Sequence, residues 1–189
     1  MVKSDSQRYE RDAVIQAAKL MLLSARTAPK SGGVDDVESQ LIEGQQKDAL
    51  MMEMLKIAEE RPNVAGGFRR DAQNVKDSEA VILIGVHGAK KFGIDCSGCG
   101  FKNCAEFDKT PKKLGQDFIG PNCIFKLLDL GIALGSAVKT ASMLNLDNRI
   151  MYRVGTAAKR LKQMSTASII MGIPISMTGK SIFFDRKQT

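Results

Sequence analysis

The chain has 189 residues, a length that fits one domain or one domain carrying a small insert. With 43% apolar and 26% charged residues, five Pro and 17 Gly, it has the composition of a soluble globular protein, which excludes disordered, collagen-like and low-complexity classes. The net charge of +7 is concentrated at the end of the chain, where residues 149–189 carry eight basic side chains against the single acid Asp185. Such a patch can attract nucleic acid, an acidic protein or a cofactor phosphate. With two Tyr and no Trp, a stacking platform for nucleic acid is not expected.

In chain order, residues 5–27 predict a core helix, apolar nearly all round in its second half, with Ser4 and Gln7 placed for a capping box. A loop follows over Pro29, Lys30, Ser31, Gly32 and Gly33. A strand is expected over 37–43, an amphipathic helix over 45–60 with Leu50, Met54, Ile57 and Ala58 on one face, and a polar helix over 68–77. The run Ala80 to Val86 reads as a strand buried on both faces. Residues 87–122 show little periodicity, and at that length the segment must be held by something other than a core of its own.

A long apolar helix is expected from 121 or 122 to 146. Gly131 and Gly135 lie four apart within it and permit close approach of another backbone, as at a dimer interface. A basic helix over 148–164 would set Arg149, Arg153 and Arg160 on one side, and 167–173 reads as a second buried strand. The pattern is α+β, with few strands and no internal repeat. No run approaches a membrane span, because Lys126, Asp129 and Lys139 interrupt the most apolar region. The opening MVKSDSQRYERD has no apolar signal region, so the expectation is a cytoplasmic protein.

All four cysteines, Cys96, Cys99, Cys104 and Cys123, fall in or beside the one irregular segment, with the spacing C-x2-C-x4-C-x18-C. In a reducing compartment such a concentration points to thiolate ligands rather than disulfides. Three close cysteines and one remote one suit an iron–sulfur cluster. Zinc usually takes paired C-x2-C knuckles, of which only the first is present, and unliganded thiols complete the alternatives. Gly98 and Gly100 permit the tight turns that aim amide groups at cluster sulfurs. His87, the only histidine, reads as an ordinary hydrogen-bonding residue at a strand end, with a cluster ligand or proton donor as the alternative.

The string Asp95-Cys-Ser-Gly-Cys-Gly-Phe-Lys-Asn-Cys-Ala-Glu-Phe107, with Gly-Pro-Asn-Cys123 downstream, resembles the small 4Fe-4S domain of electron-transfer subunits from anaerobic bacteria and archaea. That resemblance implies that Cys96, Cys99, Cys104 and Cys123 together ligate one 4Fe-4S cluster. A second resemblance covers the flanks. Ala25 to Gly33 is similar to the first loop of the FMN-dependent nitroreductase family, 129–146 to its central helix, and 169–174 with Gly179, Lys180 and Arg186 to its closing strand and terminal basic residue. Together the two patterns resemble prokaryotic ferredoxin-domain-containing proteins.

The second resemblance implies a mixed sheet flanked by helices, 1–189 as one nitroreductase-like domain, with 87–123 as the inserted cluster-binding segment. It also implies a homodimer with FMN at its interface. Arg26, Lys30, Ser31 and Gly33 would face the flavin, and Gly172, Lys180 and Arg186 would lie near its phosphate. The family's opening arginine-serine-arginine motif is absent, leaving only Arg8 and Arg11 in the first helix. The expected function is an iron–sulfur redox protein that passes electrons from the cluster to FMN to reduce a small substrate. The alternative is a flavin-free electron carrier or sensor whose basic tail docks an acidic redox partner. No carboxylate pair or Ser-His-Asp set marks a catalytic side chain.

Overall fold

The computed structural model describes residues 5–184; Ser4 of the expected capping box and Arg186 lie outside the described residues. Helix α1 (Asp5–Thr27) leads through a 3-10 turn to β1 (Val37–Ile42), and helices α2 (Gly44–Glu60) and α3 (Ala65–Asp77) precede β2 (Ala80–Val86). The cysteine segment contains the short helix α4 (Cys104–Lys109) and a hairpin of β3 (Lys113–Leu114) and β4 (Ile119–Gly120). The chain then forms α5 (Ile124–Met143), β5 (Asp147–Asn148), α6 (Tyr152–Arg160) and β6 (Ile169–Ser176).

The main sheet has the order β1-β2-β6-β5. Its pairs are antiparallel, where a mixed sheet was expected. The reason lies in the connection: with two helices, α2 and α3, between β1 and β2 the chain turns three times, so β2 re-enters the sheet running against β1. The uninterrupted apolar run of β2 follows from its central place. Ala80, Ile82, Ile84 and Val86 face one core with α1 and α5, while Val81 and Leu83 face a second core with α2, α3 and α6. The result is a three-layer α+β fold with helices on both faces of the sheet.

The basic helix is shorter than its sequence pattern. Pairing of Asp147 with Ser176, and a bridge from Met151 to Gly172, draws 147–151 to the sheet edge. Arg149 therefore lies outside α6, with its guanidinium 5.5 Å from the Phe184 ring centroid. Lys162 and Met164, at φ 57 and 48, end the helical path. Three side chains of the expected basic patch are engaged within the fold. Arg153 pairs with Asp71 at 3.0 Å, Arg160 with Glu60 at 2.6 Å, and the Lys159 ammonium donates to the carbonyls of Ser165 and Ala167. Burial pushes the Lys159 amine below its ordinary value, against a weaker upward pull from Glu38.

Helix α6 sits directly on β6 because glycines remove the side chains between them. A Cβ at Gly155 would run into the Ile170 carbonyl, and one at Gly172 into the Val154 side chain. Gly172 is thus a buried packing residue within a strand. Replacing Gly155 with Ala should force α6 off the sheet and cost about 3 kcal/mol or more. Urea unfolding would measure that loss, and an unchanged midpoint would contradict this packing.

Candidate functional site

The cysteine segment leaves β2 at His87 and is pinned to the sheet by backbone contacts. The Ile119 amide donates to the Ser168 carbonyl at 3.0 Å, and the Cys123 amide to the Gly88 carbonyl at 2.8 Å. Asn122 joins the two strands, bonding the Ile119 carbonyl at 2.7 Å and the Ser168 hydroxyl at 2.5 Å. Below it, Phe107 is buried, meets Phe101 edge-on at 5.6 Å, and carries the Lys112 ammonium 3.6 Å from its ring centroid. The segment therefore has a small core of its own around Phe107, which its lack of periodicity did not foretell.

The loop bearing the first cysteines bends through left-handed backbone at Asp95 (φ 51), Ser97 (φ 57) and Gly100 (φ 85). The Asp95 carboxylate compensates locally by accepting the Cys104 amide at 2.7 Å, while the Asp95 amide lies 3.4 Å from the Cys104 sulfur. Gly98 fills the gap to α5: a Cβ there would come within 2.8 Å of Ile124 Cγ2 and 3.6 Å of Cys96 Sγ. That close approach brings the C-x2-C turn against the residue next to Cys123. All four cysteines thus belong to one locality, graded from exposed Cys96 through half-buried Cys99 and Cys104 to buried Cys123.

Cys123 is the N-cap residue of α5, at the positive end of the helix dipole. Amides aimed at sulfur, glycine-made close approach and a helix N-terminus are what a thiolate-held cluster requires, and the residues present fit one. Among the described residues no three His, Cys, Asp or Glu side chains gather as they would round a single ion. In a four-iron cluster, by contrast, each thiolate binds its own iron. His87 does not join the cysteines: its Nε2 lies 3.3 Å from Glu38 Oε1 across the β1–β2 pair.

The first loop, expected to face a flavin, is occupied by intrachain partners. Arg26 pairs with Asp35 at 2.6 Å. Lys30 folds back to donate to the carbonyls of Ala25, Arg26 and Ala28, capping the C-terminus of α1. Ser31 donates both its amide and its hydroxyl to Asp129 Oδ1 at 2.8 Å. Gly32, at φ 59, lies under the Phe92 ring, where a Cβ would come within 2.9 Å. Gly33, at φ 69, has open space around its Cα. Lys180 is exposed beyond β6, and no described contact links it to this loop. Within one chain these residues do not form an FMN cradle.

What the loop does hold is the cysteine segment. Phe92 bridges Gly32 and Phe125, with ring centroids 5.1 Å apart, and the Lys126 ammonium lies 5.7 Å from the Phe92 centroid. Lys126 is 1% exposed and reaches Asp36 Oδ2 at 2.8 Å; no further acceptor meets its ammonium. Lys90 takes the other oxygen of Asp36 at 2.6 Å. Sequence reading missed this network. Its one visible signal was a lysine and an aspartate, Lys126 and Asp129, inside an otherwise apolar helix.

Burial pushes the Asp36 carboxyl up, but hydrogen bonds from Lys126 and Lys90 outweigh it, so the group titrates below its ordinary value of 3.8. The stability this pairing contributes is complete above that value and is lost as the pH falls through the lower folded one. Asp36→Asn leaves the Lys126 ammonium buried without a counter-charge and should cost about 3–5 kcal/mol at pH 7. In urea titrations the gap between variant and parent should narrow below about pH 4. A gap that stays constant into acid would remove the pairing as its cause.

The comparisons with known proteins bear on the family and the fold. Residues 119–186 match the family described as uncharacterized protein containing a ferredoxin domain (DUF2148). A relative from Archaeoglobus fulgidus, itself described as an uncharacterized protein, is 47% identical over 181 residues, 94% of each chain. Among solved structures, a nitroreductase with bound FMN from Desulfitobacterium hafniense superposes with a TM-score of 0.58 at 11% identity, covering 95% of this chain and 81% of that one. A Lactococcus lactis nitroreductase in complex with nicotinic acid gives 0.56 at 15% identity, covering 100% and 84%. At these identities the likeness shows the fold alone, which is nitroreductase-like. The chain belongs to the family of ferredoxin-domain-containing proteins that its sequence and its Archaeoglobus relative define.

Proposed function

We propose that this protein is an iron–sulfur redox protein in which Cys96, Cys99, Cys104 and Cys123 hold one 4Fe-4S cluster that exchanges single electrons with a redox partner protein. The observation that carries the proposal is the seat of Gly98 against Ile124, which brings the C-x2-C turn to the buried fourth cysteine. The family description, with its ferredoxin domain, supports it. The unit at 87–123 acts as a cluster-binding insert in a nitroreductase-like domain spanning the chain. Electrons pass at its exposed Cys96 edge. Among the described residues no helix is long and apolar enough to cross a membrane.

A second reading has two copies holding FMN between them, fed by the cluster, to reduce a small substrate. The likeness of the fold to an FMN-bound nitroreductase favours it; the engagement of Arg26, Lys30 and Ser31 within the chain speaks against it. A homodimer is proposed on either reading. Leu128, Ile132 and Met143 stand exposed along the outer face of α5, where Gly131 and Gly135 have open space above them. A second copy would bury that stripe. Ile132→Glu should then shift the protein from dimer to monomer in sedimentation equilibrium, and an unchanged mass would place the interface elsewhere.

Protein purified without oxygen should contain about four irons and four labile sulfides per chain and absorb broadly in the visible. Cys99→Ser should lose most of that iron and become protease-sensitive across 87–122. Zinc without visible absorption, or full iron in the variant, would overturn the ligand assignment. A flavin assay separates the two readings: stoichiometric FMN supports the second, and its absence leaves a carrier.

A further inference from the structure

We propose that Lys126 is the buried cation that sets the reduction potential of the cluster, acting from inside α5 rather than as a ligand. This rests on the cluster assignment proposed above. Two placements bracket its ammonium between the ends of the ligand set. Its backbone lies in the first turn of α5, three residues after the N-cap Cys123. Its Nζ lies against Phe92, four residues before Cys96, at 5.7 Å from the ring centroid. At 1% exposure, water does little to screen it.

A buried lysine needs a reason beyond packing, because an apolar side chain of the same length would fill the space without desolvating a charge. Asp36 already has Lys90 as a partner at 2.6 Å, half exposed to solvent. Adding an electron to a cluster held by four thiolates makes an already negative centre more negative, and a nearby ammonium in a poorly screened site favours the reduced form. The other charges that face this region are Asp36, Lys90, the buried Asp129, which Ser31 caps, and, on the insert beside Cys104, Asp95 and Lys91, the latter paired with Asp108. Asp36 and Asp129 oppose Lys126, so the potential is a balance in which each member has a predictable sign.

The test is an anaerobic optical redox titration of the iron-loaded protein, with iron content measured on each sample. Lys126→Met should change the ratio of reduced to oxidised cluster at a fixed potential by roughly tenfold, a negative shift of about 59 mV for a one-electron couple. Asp36→Asn should shift the midpoint the opposite way, and Lys126→Arg should leave it near the parent value. Opposite signs from two variants that both weaken the same ion pair are not produced by loss of stability. A fully iron-loaded Lys126→Met with the parent midpoint overturns the inference while leaving the cluster assignment standing. An iron-free parent protein overturns the assignment and the inference with it. Where Lys126→Met does not retain its cluster, Lys90→Met takes its place: its half-exposed side chain should give a smaller negative shift that shrinks with added salt, and no shift at low ionic strength overturns the inference.

Discussion

The contact between Lys126 and Asp36 is the constraint on which the rest of the site depends. An ammonium buried to this degree is tolerated only where a carboxylate meets it, and Asp36 can do so only if the chain before β1 turns inward over the start of α5. That turn fixes the 3-10 loop at 31–33, and the Asp129 carboxylate, one turn further along the same helix, pins it a second time through Ser31. The Asp36 carbonyl then accepts the His87 amide at 3.0 Å, and Lys90 closes on the free carboxylate oxygen. One buried charge thus aligns the loop after α1, the N-terminal turns of α5 and the exit from β2, the three places between which the cysteine segment is hung.

The same contacts tie the first loop of this nitroreductase-like fold to α5 and to the cysteine segment. Arg26 pairs with Asp35, Ser31 donates to Asp129 of α5, and Gly32 lies against Phe92 of the insert. Fold likeness at 11–15% identity carries no information about function.

Much of the framework was legible in the chain because it rests on local patterns. The double-sided apolar run 80–86 announced the central strand, and helix bounds for α1 and α2 follow from periodicity and from Pro29 and Gly44. The cysteines were legible as a set because four identical reactive groups lie within 28 residues. What stayed hidden depends on residues distant in sequence. Asp36 and Lys126 are each ordinary until 90 positions of chain fold them together. Phe92 gives no periodic signal, because its role is to touch a glycine 60 residues earlier. The basic tail misled for the same reason: Arg153 and Arg160 looked like a docking surface until Asp71, Glu53 and Glu60 of the preceding helices met them. Gly172 lies in the strand that the sequence expected, but its pairing with Met151 on one side and Leu83 on the other joins residues distant in sequence.

The gradient of exposure across the four cysteines links fold to electron flow. A carrier must hold its cluster rigidly enough that changing its charge reorganises little, yet leave one edge close to the surface for a partner. Here the rigid end is Cys123, buried, fixed by the Gly88 carbonyl and by the first turn of a 20-residue helix, with Lys126 and Asp36 beneath it. The open end is Cys96, on a loop whose left-handed residues are stabilised by its own side chains rather than by the core. The fold's strongest constraint and its most exposed ligand thus stand at opposite sides of one site. On the function proposed above, charge is stabilised from the inside while electrons are exchanged from the outside, and a partner that docks at Cys96 leaves the Lys126–Asp36 ion pair undisturbed.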